Sequence, residues 1–271
     1  MLALNQIQGA SAADFTFEND AGFQSAVDGA NSDGDTLAPT RIIFGGAAGT
    51  TITAEAPVVF TDKAVSIGSP ISTTFTLTAA STFVGNCLIC SNSSLTLNNL
   101  ILDVAPKAGV SAISVDAAAP VTVDLNNVEV KNVTGAAAIS VTGQAETTVT
   151  INNSDIHNNV VGAGATEGAT GGSVIVVNAT TDATVTISGD TTITANTAGG
   201  GGAGGAQADG SPGGAGGSIV EVNVGANATV IISETASITS NTSGVGGVGD
   251  VSDVIDPGGA GGAGGSTLAV V

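Results

Sequence analysis

One unit recurs along the C-terminal half of this chain, and a single segment of it changes length. Strand-like runs open at Ile113, Ile139, Ile175 and Val220, and Leu268 opens a fifth copy. Twelve residues after the first four stand Leu125, Ile151, Ile187 and Ile232. Seven or nine residues later come Asn132, Asn158, Asn196 and Asn241. From each Asn to the next opening the gaps are 7, 17, 24 and 27 residues. A constant frame with one expandable loop is the mark of a solenoid, in which each turn contacts only its neighbours. The side chains agree. Val, Ile and Thr suit a pleated surface because they branch at Cβ, and Gly and Asn punctuate strands because they tolerate positive φ.

The stacking of such turns has a local consequence. Leu95-Thr96-Leu97-Asn98-Asn99 recurs as Val123-Asp124-Leu125-Asn126-Asn127 and Val149-Thr150-Ile151-Asn152-Asn153. Coils lie about 4.8 Å apart, so equivalent residues stack. Asn98, Asn126 and Asn152 are therefore expected to form an amide ladder at a bend. Asn132, Asn158, Asn196 and Asn241 are expected to form a second one. Earlier strands are expected at Arg41–Phe44, Thr50–Thr53, Val58–Phe60, Val65–Ile67, Phe75–Thr78 and Leu88–Cys90.

Residues 14–35 read as an N-terminal cap, with 36–271 as the solenoid and 1–13 as a disordered or processed leader. Asn19-Asp20 can cap a helix from about Ala21 to Ala30. An open first coil needs such a cover, since exposed strand edges invite aggregation. The chain stops on the first strand of a new coil. Leu268 and Val270 are accordingly the expected self-association edge, by strand addition. Cys87 and Cys90 form a lone Cys-x-x-Cys. On an extended segment they face opposite sides, which favours two thiols over a local disulfide.

Gly-rich loops span 159–173, 197–217 and 242–265, each ending near Gly-Gly-Ser. Their composition cannot bury a core of its own, which predicts flexible loops. Their register offers an alternative. Emerging from one corner, they could lie side by side in polyproline-II-like form, packed through glycine.

The formal charge is −19, from 4 Lys and Arg against 23 Asp and Glu. A phosphate backbone or an anionic membrane surface would be repelled. No apolar run approaches the length of a membrane-spanning helix. Calcium is the best ligand expectation, through Asp28, Asn31, Asp33 and Asp35, or through Asp250, Asp253 and Asp256. The distal Glu of a complete calcium loop is missing, and turn-favouring Asp is the plainer reading of both groups. No other cofactor is expected. His157, the single histidine, reads as a solvated surface residue. No acid–base cluster is evident and Trp and Tyr are absent, so the chain is not expected to be an enzyme.

The repeats also carry a resemblance. Gly172-Ser173-Val174-Ile175 and Gly217-Ser218-Ile219-Val220 resemble the Gly-Gly-small-aliphatic motif of autotransporter passengers and polymorphic outer-membrane proteins. Ile193-Thr194-Ala195-Asn196 and Ile238-Thr239-Ser240-Asn241 resemble the partner motif, with Ile where that family usually has Phe. Most of residues 14–271 looks like a secreted right-handed parallel β-helix of the pectate-lyase-like superfamily. The resemblance implies an all-β, single-stranded β-solenoid with a short capping helix. It further implies a structural or interaction protein of the cell surface or extracellular space, as an adhesin-like passenger or filament subunit. Its partners would be further copies of itself or a surface receptor. The rival expectations are an ice-binding solenoid, from the outward pairs Thr148/Thr150 and Thr184/Thr186, and a polysaccharide-degrading enzyme.

Overall fold

The computed structural model describes residues 13–33, 39–70, 73–80, 82–105, 108–204, 212–233, 235–249 and 260–271. Their regular structure is one short helix and many strands, all paired in parallel. Parallel pairing between segments tens of residues apart needs a long crossover. Here the crossover is the rest of a coil.

The strand openings stand in one row of register partners. Leu88 pairs with Ile113, Ile113 with Ile139, Ile139 with Ile175, Ile175 with Val220 and Val220 with Leu268. They belong to a seven-stranded sheet. Leu125, Ile151, Ile187 and Ile232 form a second row in a thirteen-stranded sheet. That sheet bends where Asn99, Asn127 and Asn153 take φ of 55°, 55° and 49°. Left-handed backbone at these points turns the chain within one residue, and Asn tolerates it better than other non-glycine residues. Beyond the bend, Glu129 faces Asp155 and Lys131 faces His157 in register.

Within a strand, burial alternates with period two. In Thr147–Asn152, residues Thr147, Val149 and Ile151 are buried while Thr148, Thr150 and Asn152 are half-buried. The inward rows are Val, Ile and Leu along most of the stack. At the N-terminal end Phe takes over. Phe17, Phe23, Phe44 and Phe75 pack with ring centroids 4.8 to 5.4 Å apart.

Helix α1 (Asp20–Ser32) covers that end. Asn19 is its N-cap, with Oδ1 accepting from the Gly22 N–H at 2.9 Å. The buried face is Phe23, Ala26, Val27 and Ala30. Its C-terminal end meets Lys63, a buried cation whose Nζ donates to the Ala30 and Asp33 carbonyls at 2.5 and 2.9 Å. A cation there answers the helix dipole and satisfies carbonyls that the helix leaves unpaired. The cap also holds a strand. Asp14–Phe17 pairs with Arg41–Phe44, which the short alternation of phenylalanines only hinted at.

Cys87 and Cys90 are free and both fully buried. Cys87 precedes the strand Leu88–Ser91 and turns inward at the corner, so it does not face opposite to Cys90 as extended backbone would have it. Burial pushes both thiols up to about 12. Residues 1–12 lie outside the described part, as do Asp35, Asp250, Asp253 and Asp256.

Candidate interaction surfaces

The glycine-rich loops build the most distinctive surface. Each loop goes out along one arm and returns along another. The outgoing arms are residues 161–164, 198–204 and 242–248, and the returning arms are 168–174, 213–219 and 260–266. They are joined by backbone hydrogen bonds that recur every third residue. Along the outgoing layer, the N–H groups of Ala198, Gly201 and Gly204 donate to the carbonyls of Thr242, Val245 and Val248 at 2.7 to 2.9 Å. Along the returning layer, Gly213 and Gly216 donate to Ala260 and Ala263. Between the layers the arms run antiparallel. Gly199 and Gly202 donate to Gly172 and Ala169, and Gly217 and Gly214 donate to Gly199 and Gly202. Gly244 and Gly247 donate to Gly217 and Gly214, and Gly265 and Gly262 donate to Gly244 and Gly247.

A three-residue period is that of the polyproline-II helix, and close packing of such chains admits only glycine. A Cβ on Gly217 would be driven into the Gly172 carbonyl oxygen, one on Gly201 into that of Gly214, and one on Gly244 into that of Gly199. Side chains survive at the outward third position. Ala203, Ala260 and Ala263 are exposed there, and Val245 and Val248 are 75% and 72% exposed. The described arms of these loops take the side-by-side extended arrangement. Gly-Gly-x triplets, such as Gly213-Gly214-Ala215-Gly216-Gly217-Ser218, permit this period of three, and the neighbouring arms impose it.

The Asn rows need one correction. Asn98 and Asn126 do stack, with Asn126 Nδ2 donating to Asn98 Oδ1 at 3.3 Å, and Asn152 Oδ1 accepts from Ser188 Oγ at 3.1 Å. Asn132, Asn158, Asn196 and Asn241, however, belong to two rows. The bridges Thr134↔Val160↔Thr197↔Thr242 set the register. Asn132 and Asn158 align with Ala195 and Ser240, all at φ between 54° and 60°. The ladder proper is Asn159, Asn196 and Asn241. Asn159 Nδ2 donates to Asn196 Oδ1 at 2.9 Å, and Asn196 Nδ2 donates to Asn241 Oδ1 at 3.0 Å. The same amides donate inward to the carbonyls of Val130, Ile156 and Ile193. The misalignment arises at the turn 188–191, where Gly189 takes the positive-φ place of Asn153 and Asp190 adds a residue relative to the preceding coil. Consecutive asparagines at 158–159 hid the slip.

His157 is not simply solvated. Its side chain is 19% exposed, with Nε2 2.9 Å from Glu129 Oε1 and 3.8 Å from Asp155 Oδ2. Asn158 Nδ2 lies 2.9 Å from Nδ1. If that amide donates to Nδ1, Nε2 carries the proton and donates to Glu129. Lys131 Nζ sits 2.6 Å from the same Glu129 oxygen. Burial works to raise the Glu129 carboxyl, but hydrogen bonds and charge from Lys131 and His157 outweigh it and hold it below the usual range. Glu129 and Asp155 also line a shallow groove at the sheet bend, with Asn127, Asn153 and Thr74.

Of the proposed calcium ligands, Asp28, Asn31 and Asp33 fall among the described residues. Asp28 Oδ1 accepts from Gln24 Nε2 at 3.0 Å, while Asn31 Nδ2 donates to the Val59 carbonyl at 2.8 Å. Among the described residues no group of three or more His, Cys, Asp or Glu side chains has the geometry of a metal site. Leu268 and Val270 pair with Val220 and Val222, with Leu268 half-buried and Val270 exposed. Thr122, Thr148, Thr184 and Thr229 stand in one register row, and the neighbouring row reads Asp124, Thr150, Thr186 and Ile231. No described helix is long and apolar enough to cross a membrane. No family model, curated protein or solved structure matches the chain.

Proposed function

We propose that this chain is a structural and interaction protein of the cell surface or extracellular space, an adhesin-like passenger or a filament subunit. In this reading the stacked coils form a right-handed parallel β-helix, the hand that nearly all parallel crossovers adopt. The observation that carries it is the crest. The described arms of three loops of growing length knit into a two-layer, hydrogen-bonded slab. A stacked frame bearing a hydrogen-bonded slab of this kind is suited to presenting a surface over distance. The hydrogen-bonded arms themselves carry no charged side chain, while the loops they belong to hold Glu167, Asp209, Asp250, Asp253 and Asp256.

Electron microscopy and surface-binding assays on the purified protein test this directly. Head-to-tail fibres support the filament subunit. Monodisperse rods that bind cells or matrix support the passenger. Rods that do neither, or that release sugar from a polysaccharide, refute the proposal. The register of the Thr122–Thr229 row favours ice binding as a second reading, though Asp124 and Ile231 interrupt the adjoining row. A thermal-hysteresis measurement showing no activity removes it.

A further inference from the structure

The chain contains six Asn-x-Ser/Thr sequences, beginning at Asn92, Asn132, Asn152, Asn178, Asn227 and Asn241. Such a triplet is the acceptor pattern for an Asn-linked sugar on a secreted protein. The transferase reads the unfolded chain, so all six are chemically competent. The fold then decides which of them can carry a glycan, because the sugar is bonded to Nδ2 and replaces one of its hydrogens.

The structure separates them. Asn241 Nδ2 donates to the Ile193 carbonyl within the amide ladder, at 2.7 Å. Asn132 Nδ2 donates to Asp103 Oδ1 at 2.9 Å, and Asn227 Nδ2 donates to Asp182 Oδ1 at 2.9 Å. Asn152 and Asn178 are half-buried on the sheet faces, each held in register between a residue of the preceding coil and one of the next, where a sugar on Nδ2 would meet its neighbours. Asn92 differs from all five. It is exposed, and it occupies a turn at φ 49° just after the strand Leu88–Ser91. Its Oδ1 accepts from the Ala118 N–H at 2.8 Å, and its Nδ2 has no hydrogen-bond partner among the described residues. That acceptor bond survives glycosylation, since the amide oxygen is unchanged. It also fixes the side-chain rotamer at a corner of the coil.

We infer that Asn92 is a glycan acceptor, taking an oligosaccharide from a diphosphate-activated donor. This rests on the extracellular reading. The new bond joins Nδ2 to the anomeric carbon. The anomeric C–O bond to the diphosphate breaks, the diphosphate leaves with the electron pair, and the amide proton passes to a base of the transferase. No oxidation or reduction is involved. The same geometry predicts that a glycan on Asn241 is incompatible with closure of its coil.

The test is to fuse the full chain to a cleavable secretion signal and express it in a eukaryotic secretory pathway. The secreted protein is then weighed and mapped before and after peptide N-glycosidase in ¹⁸O water, which marks each occupied Asn as a labelled Asp. The expected result is a folded, secreted chain labelled at Asn92 and unlabelled at Asn241, with the Asn92→Gln variant losing the mass of one glycan. A folded, secreted chain unmodified at Asn92, or one labelled at Asn241, overturns the inference and leaves the extracellular reading standing. A chain retained unfolded with sugar at Asn92, while Asn92→Gln is folded and secreted, overturns the inference alone, and a chain retained in both forms overturns the extracellular reading on which it rests.

Discussion

Two glycines of the crest, chosen for the direction of their missing side chains, distinguish a packed slab from loose loops. Gly217 faces inward. Its N–H donates to Gly199 at 2.8 Å, its carbonyl accepts from Gly244 at 2.9 Å, and an added Cβ would collide with the Gly172 carbonyl. Gly217→Ala must push two arms apart. Overpacking costs about 1–3 kcal/mol. Weakening the two hydrogen bonds adds about 1 kcal/mol each. The stiffer unfolded chain returns about 0.4–1 kcal/mol. The net expectation is a loss of about 2–4 kcal/mol, or roughly 30- to 1,000-fold in the local opening equilibrium at about 1.4 kcal/mol per tenfold. Gly200 faces outward, and its Cβ would meet only Val245 at 3.4 Å. Gly200→Ala should be neutral or stabilise by up to about 1 kcal/mol. Hydrogen exchange at the Gly199, Gly217 and Gly244 amides measures this locally, which matters because repeat proteins need not unfold in two states. If both variants exchange alike, the crest is not a packed slab and the reasoning fails.

The same logic gives four further expectations. Asn196→Ala removes a buried amide from the ladder and strands its partners, at a cost of about 2–4 kcal/mol, whereas Asn158→Gly, at φ 55°, should change the urea midpoint little. Thr40 is fully buried and its Oγ1 has no partner among the described residues, so Thr40→Val should stabilise by about 1 kcal/mol in thermal melts. Cys87 and Cys90, pushed up to about 12 by burial, should ignore a thiol reagent at pH 8 in the folded protein and react in full after denaturation. Glu129 titrates below its ordinary range when folded. Its contribution is therefore present above the unfolded carboxylate pKa and is lost as pH falls through the folded one. Below about pH 5 the wild type should lose stability faster than Glu129→Gln, measured by denaturation at each pH.

Much of this was legible in advance because parallel strands stacked in register repeat the same side-chain requirement at each turn. Ile113, Ile139, Ile175, Val220 and Leu268 align because an inward aliphatic must recur wherever a coil closes on the same core. Helix α1 was legible from Asn19 and the spacing of Phe23, Val27 and Ala30, since capping and amphipathicity are local. The second Asn row differs from the spacing because an inserted Asp190 shifts the register by one, and spacing along a chain cannot see which carbonyl an amide will meet. His157 reads from sequence as a solvated surface residue, yet its side chain is only 19% exposed and engaged with Glu129. Its partners Glu129 and Asp155 lie a coil away or two residues off, and only stacking brings them onto one imidazole.

What the sequence determined by itself is the period: which residues enter the core, where each coil turns, and which loop may grow. Those follow from side-chain volume, branching and permitted φ, which act within a few residues. The tertiary structure alone decided what the growing loops became. Glycine has no preference strong enough to predict an extended three-fold arm. The arm exists because an antiparallel neighbour and a parallel one, each from a different coil, meet its N–H groups and carbonyls at a distance that excludes a Cβ.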